Sequence, residues 1–346
     1  MTFFSDLKNF IFSQLFITVF IFLLIILALV CLNSSASKIY SKTENLMGTD
    51  VTITVVSLNE KQAYDAIDLA FAEMKTIESV MSIYNPESDL SNLNAFAQNN
   101  TNLFMKIDPQ LYYVIEESIK VAEQTDGAFD ITVNPILELW STASKTKVFP
   151  TPEQIDETLE LVGSKHLWLS RESVAFKRPN MSINLGGIAK GYAVDRAIII
   201  LKSVGIQSAL VDAGGDIRTF GTKPNKIPWT LALQNPRDQT DYITIIESED
   251  LAVVTSGDYE RYFDLENTRV THIADPRSGY SAKGTMSVTI ISQNATFADA
   301  LATGIFVLGK DGLNIVESIP DTEALLIDEN RTIYRTSGFD DYEKKD

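Results

Sequence analysis

The stretch Asn184-Leu-Gly-Gly-Ile-Ala-Lys-Gly-Tyr-Ala-Val-Asp195 places two adjacent glycines, a helix start and one cation side by side, a combination suited to gripping phosphate. Gly186 and Gly187 let main chain approach a ligand closely. Ile188 opens an apolar-periodic helix whose first amides lack partners within the helix, and Lys190 adds a point charge. Such a place stabilises an anion. The spacing G-G-x-x-K-G matches neither the P-loop nor the dinucleotide frame, so a plain turn into a surface helix with a solvated Lys190 is the competing reading.

Asp299 and Thr303 stand four residues apart, hence on one face of a predicted helix. Together they can hold a hard cation such as Mg2+, which takes few protein oxygens and keeps waters or substrate phosphates. The alternative is an Asp complementing the helix dipole and a Thr bonding back to a carbonyl. Thr271-His-Ile-Ala-Asp-Pro-Arg-Ser-Gly-Tyr280 reads as a rigid polar loop. Its His272 can relay a proton near neutral pH, or can be a hydrogen-bonded structural residue.

Thr255-Ser-Gly-Asp-Tyr-Glu260 offers Asp258 at a turn, and Asp126-Gly-Ala-Phe-Asp-Ile-Thr132 offers Phe129 and Asp130 ahead of a bend. Tyr84, on the polar loop Met81–Asp89, can stack on a planar ring. Each has a structural alternative: Phe129 as core, Tyr84 as a loop anchor, Asp258 as a turn former.

These residues need a scaffold, and the chain has length for one. Its 346 residues, 45% hydrophobic and 22% charged, have the composition of a globular protein. A net charge of −17 argues against a nucleic-acid partner, which needs a basic surface. Residues 10–32 carry no charge and match the ~20 apolar residues that cross a bilayer. This run exceeds a signal-peptide core of roughly 7 to 15 residues, so an uncleaved anchor is the preferred reading. A lipidated Cys31, the only cysteine, is another.

The predicted organisation is therefore a membrane segment or lipoprotein signal over 1–32, a polar linker over 33–45, a catalytic domain over 46–337 and a charged tail over 338–346. Alternation at Val51, Ile53 and Val55 predicts a strand, and helical spacing predicts a helix over Lys61–Met81. Pro109–Gln124 and Ile188–Val204 read as further helices, with Thr296–Val307 near the end. Short strands are expected at His166–Ser170, Val174–Lys177, Ala209–Asp212, Trp229–Leu233, Tyr242–Ile246, Ala252–Thr255, Met286–Ile291, Ala324–Ile327 and Thr332–Arg335. That order is neither strict βαβ alternation nor all-β, so the fold class is α+β.

Met47-Gly-Thr, Met81–Asn94, Gly127-Ala-Phe-Asp-Ile-Thr-Val, Gly187–Asp195, Gly214-Gly-Asp-Ile, Thr255-Ser-Gly-Asp-Tyr259, His272–Tyr280 and Ala298-Asp-Ala-Leu-Ala-Thr303 stand in an order that resembles ApbE-type proteins, the FAD:protein FMN transferases. The resemblance spans about Leu46 to Val307. Ser141-Thr-Ala, after Trp140, departs from the Gly-rich run often found there.

The resemblance implies mixed and antiparallel sheets flanked by helices, and an enzyme that splits FAD with Mg2+. The FMN half goes through a phosphoester to a Thr or Ser of a target protein, and AMP leaves. Met47, Tyr84, Ala128, Phe129, Asp130, Asn184, Lys190 and Ile273 would line the FAD site. Asp299 and Thr303 would bind the metal with the Gly187 carbonyl. His272, or a nearby Asp such as Asp258, would take the hydroxyl proton. Implied targets are subunits of membrane redox complexes, such as sodium-pumping NADH:quinone oxidoreductase, reached by an inner-membrane protein whose domain faces the periplasm or cell exterior. An Mg2+-dependent FAD pyrophosphatase and a non-catalytic FAD carrier are the alternatives.

Overall fold

The computed structural model describes Gln14 and residues 16–22, 37–260, 262–265 and 268–345. Most of the apolar run over 10–32, with Cys31, lies outside these residues. No helix among the described residues is long and apolar enough to cross a membrane. Ile39–Asp346 forms one compact unit.

Its first half runs β1 (Lys38–Leu46), β2 (Thr49–Ser57), α1 (Glu60–Met81), α2 (Asp89–Asn99), β3 (Met105–Lys106), α3 (Pro109–Gln124), α4 (Asn134–Thr146), α5 (Pro152–Leu159), β4 (Leu167–Ser170) and β5 (Ser173–Phe176). There follow α6 (Ala189–Ser203), β6 (Ala209–Ala213), β7 (Asp216–Phe220), β8 (Trp229–Asn235), β9 (Asp238–Ser248), β10 (Ala252–Gly257), β11 (Tyr262–Leu265) and β12 (Thr268–Thr271). The last elements are β13 (Thr285–Ser292), α7 (Ala295–Leu308), α8 (Leu313–Glu317), β14 (Glu323–Asp328) and β15 (Ile333–Arg335).

The main sheet has the order β1-β2-β6-β7-β10-β13-β14-β15. Pairing from β2 to β15 is antiparallel throughout. Every residue of β13 is buried, as expected of a central strand covered on both faces. On one face α1, α6 and α7 pack through Phe71, Met74, Ile77, Ala197, Leu201, Leu301 and Ile305 against Val254 and Ile290. On the other face the β8–β9 hairpin lays Leu231, Leu233 and Ile246 on Val253, Ile291 and Leu325. A separate cluster joins Ile136 and Trp140 of α4 and Ile155 of α5 to Leu265, Val270 and Ala274. This last cluster carries the β11–β12 hairpin and the loop after it.

The α+β class and the predicted helices stand, with ends within a residue or two. Two predicted boundaries do not. Residues 38–45, expected as linker, belong to β1, whose burial pattern leaves only Leu46 fully enclosed. A polar edge strand has the composition of a linker. At the other end, the expected charged tail folds back: Phe339 is fully buried, Tyr342 packs beside it, and Glu343 bridges to Ile246. His166, expected to begin a strand, lies in a single 3-10 turn just before β4. Elements α2, α4, α5, β7 and the β11–β12 hairpin have no counterpart in the prediction, since their apolar periodicity is short or broken by polar residues.

Candidate active site

A cleft of about 1150 Å³ opens between the helical layer, the ends of β6, β7 and β10, and the β11–β12 hairpin. The glycine turn forms part of its wall. Asn184 shapes that turn: its Oδ1 accepts from Gly186 N at 2.8 Å, its Nδ2 donates to Asn134 Oδ1 at 3.1 Å, and its own amide donates to Ile131 O at 2.8 Å. A Cβ on Gly187 would lie 2.9 Å from Thr303 Oγ1 and 3.4 Å from the Phe129 ring. Only glycine fits so close an approach. Gly191 does the same between helices, since a Cβ there would lie 2.2 Å from Ala295 O and 2.8 Å from Asp299 Cβ.

These two contacts bring Gly187 and Lys190 of α6 together with Asp299 and Thr303 of α7. Asp299 Oδ2 accepts from Gly191 N at 3.0 Å, so one of the first amides of α6 is already engaged by the protein's own carboxyl group. Thr303 Oγ1 lies 3.4 Å from Ser256 Oγ, within hydrogen-bond reach. The placement of α7 itself comes from Asp195. That carboxylate accepts from Ala295 N at 3.1 Å, Thr296 N at 2.8 Å and Thr296 Oγ1 at 2.6 Å, and pairs with Arg218. Asn294 adds the N-cap, accepting from Phe297 N at 2.8 Å.

Lys190 is a half-buried, paired cation rather than a freely solvated one. Its Nζ lies 2.9 Å from Asp216 Oδ2, yet neither oxygen of this buried carboxylate has an aligned hydrogen-bond donor. The contact is an ion pair at close range. Burial works against the charged form of Lys190, but Asp216, Asp299 and Glu260 outweigh it and hold the ammonium above its ordinary range. Burial raises the pKa of Asp216, with Lys190 opposing, and raises Asp299 well above the carboxylate range, helped by the charge of Asp216. Two buried carboxylates thus crowd one ammonium, and that crowding favours the protonated, neutral form of Asp299. Asp216 carries no role in the sequence reading beyond its place in Gly214-Gly-Asp-Ile.

The remaining predicted residues divide. Met47, Tyr84, Ala128, Phe129, Asp130, Ile273 and His272 all line this cleft. Met47 sits with Gly48 in the two-residue β1–β2 turn at φ 54° and 76°. Its amide donates to Glu78 Oε1 at 2.7 Å, which fixes a left-handed conformation costing about 1–2 kcal/mol for a non-glycine. Tyr84 is 83% exposed at the rim. The Asp130 carboxylate is spent on its own loop, accepting from Thr132 N and Oγ1 at 2.8 and 2.6 Å and from Ser164 N at 2.7 Å.

Asp258 does not line the cleft. Arg237 holds it with two parallel bonds of 2.7 and 2.6 Å, which occupy both of its oxygens. Its neighbour Tyr259 does line the cleft, and burial with the charges of Glu260 and Asp258 pushes its pKa up to about 12. A neutral phenol is thereby kept at the wall.

Among the described residues no group of three or more His, Cys, Asp or Glu side chains is arranged around a common point. What the cleft offers instead is a hard-oxygen set: the Asp299 carboxyl, the Thr303 hydroxyl and the Gly187 main chain, with the Lys190–Asp216 pair next to Asp299. Hard oxygen donors of this kind suit Mg2+, which completes its shell with water and phosphate.

The antiparallel sheet backed by α1, α6 and α7 matches the fold of solved flavin transferases. The ApbE protein of Thermotoga maritima superposes with a TM-score of 0.82 at 36% identity, over 89% of this chain and 100% of that one. The flavin transferase ApbE of Vibrio cholerae gives a TM-score of 0.77 at 28% identity, over 88% and 99%. The ApbE family model matches residues 47–326, and the chain belongs to that family. In sequence it is 33% identical over 273 residues to the FAD:protein FMN transferase of Vibrio cholerae, covering 77% of this chain and 81% of that one. Against the FAD:protein FMN transferase of Haemophilus influenzae it is 31% identical over 292 residues, covering 80% and 82%.

Proposed function

We propose that the protein is an Mg2+-dependent FAD:protein FMN transferase. The observation that carries this reading is the convergence of Gly187, Lys190, Asp299 and Thr303 in one cleft large enough for a dinucleotide. Asp299, Thr303 and the Gly187 carbonyl would hold Mg2+, which when bound neutralises charge on the diphosphate oxygens and polarises the phosphorus. Lys190 and the glycine turn meet the same oxygens from the α6 side, with preorganised charge that needs no rearrangement in the transition state.

The acceptor hydroxyl of a Thr or Ser attacks the FMN phosphorus, forming the P–O ester bond as the anhydride P–O bond breaks. AMP departs with the electron pair. The hydroxyl proton passes to a base on the cleft wall, and His272 is the candidate, since Asp258 is engaged by Arg237. Phe129, Ile273 and Met47 supply apolar wall against the flavin and keep water from replacing the acceptor. The apolar run over 10–32 supports a further reading, a membrane tether, and the family resemblance adds a domain outside the cytoplasm near target subunits of membrane redox complexes, where tethering raises its effective concentration.

The test is flavin fluorescence in a denaturing gel, with the protein, FAD, Mg2+ and a target domain bearing an acceptor Thr. A fluorescent target band is expected with wild type and not with Asp299→Ala. Release of FMN with no labelled target would assign the cleft to a pyrophosphatase. Intact FAD after prolonged incubation would make it a carrier.

A further inference from the structure

Asp216 opens β7 directly after the Gly214-Gly215 turn and is wholly buried. Lys190 Nζ stands 2.9 Å from one of its oxygens, and both oxygens lack an aligned donor. A carboxylate in that state is retained at a cost unless its charge does something for a neighbour. The neighbour is Asp299, which accepts from the amide of Gly191, the residue next to Lys190, and whose charge also bears on the Lys190 ammonium. Lys190 therefore has two carboxylates acting on it, of which Asp216 stands at ion-pair distance. Were it to pair with Asp299, the ammonium would fill the space among Asp299, Thr303 and the Gly187 main chain that a divalent cation needs.

We propose that Asp216 is a positioning residue that draws the Lys190 ammonium to itself and so keeps Asp299 open to a divalent cation. This inference rests on the Mg2+-dependent reading given above. Asp216 needs no contact with metal or FAD to act in this way. It competes with Asp299 for a single cation on the protein, and the geometry has Asp216 winning.

The test reads metal binding without turnover: thermal melting of the full chain in detergent, titrated with Mg2+ alone. Wild type is expected to gain melting temperature with Mg2+. In Asp216→Asn the ammonium has only Asp299 left to pair with, and the Mg2+ concentration for half of the gain should rise about tenfold or more. Removing the ammonium as well, in Lys190→Met/Asp216→Asn, should bring that concentration back to within about threefold of Lys190→Met alone, because the competitor is gone.

An Asp216→Asn protein that melts lower but keeps the wild-type half-saturation makes Asp216 a packing residue only and overturns the proposal. A double variant that stays as weak as Asp216→Asn overturns it too, since Asp216 would then act through its own charge on the metal. Should Asp216→Asn not fold, the comparison of the double variant with Lys190→Met decides alone: a large loss there is fatal. A wild type indifferent to Mg2+ refutes both this proposal and the metal dependence beneath it, whereas the earlier outcomes leave that dependence standing.

Discussion

Gly187 is where main-chain freedom and chemistry coincide. Its α-carbon faces the Thr303 hydroxyl so closely that a methyl group would sit 2.9 Å from Oγ1. Thr303 is β-branched and holds few χ1 options in a helix, so Gly187→Ala should rotate or displace the hydroxyl and press on Phe129. We expect a loss of about 1–3 kcal/mol in stability from overpacking. FAD turnover should fall further than that loss explains, since the displaced hydroxyl is a proposed metal ligand. Thermal melts and FMN release measured together check this; turnover at wild-type level would remove Thr303 and the glycine turn from the chemistry. Residue type and spacing bring the glycine pair, Lys190, Asp299 and Thr303 forward as candidates beside plain structural readings, and the structure gathers them at one cleft. Asp216 is not legible in that way, because its partner Lys190 lies 26 residues upstream on another element and nothing local marks the pairing. Asp258 misled for the same reason, its Arg237 partner being on the strand hairpin opposite.

At the scale of elements, the site depends on how α7 is set against α6. Asp195, in the first half of α6, caps the amides of Ala295 and Thr296 and pairs with Arg218 of β7, so a single carboxylate ties helix, helix and strand. Both side chains of that pair are largely buried, at 16% and 7% exposure. Asp195→Ala strands the Arg218 charge and uncaps α7, and breaking one side of a buried pair costs about 3–5 kcal/mol. At roughly 2–4 °C per kcal/mol for a domain of this size, circular dichroism should show a melting temperature lower by on the order of 10 °C. Arg218→Met added to Asp195→Ala should recover part of it, because the uncompensated charge is removed. No recovery would mean that capping, not charge pairing, carries the effect. Periodicity exposed α1, α3, α6 and α7, whose buried faces repeat over several turns. It missed α2 and α5, short helices held by caps such as the Thr151–Gln154 box, where packing against neighbours decides the conformation more than the pattern does.

For the whole molecule, the decisive boundary is at the N-terminal edge of the main sheet. The sequence Lys38-Ile-Tyr-Ser-Lys-Thr-Glu-Asn-Leu46 reads as linker, but the strand it forms covers β2 and carries the Met47 turn into the cleft. Its Glu44 is bridged by Lys42 and Lys75, fastening the strand to α1. A chain starting at residue 46 would leave β2 with a bare row of amides and carbonyls, an invitation to edge-to-edge association, and would free Met47 from its turn. A chain starting at residue 37 keeps all of this. We expect the longer version to elute as a compact species, to melt within about 2 °C of the full chain since surface truncations cost little, and to transfer FMN in solution. The shorter one should melt lower, associate on size exclusion and lose FAD turnover. Equal behaviour of the two would show that β1 is dispensable and that the domain begins where the sequence pattern put it. In membrane fractionation the full chain should sediment and the residue-37 version should not; if both stay in the supernatant, the apolar run over 10–32 is no anchor and the tethered geometry proposed for target labelling falls with it.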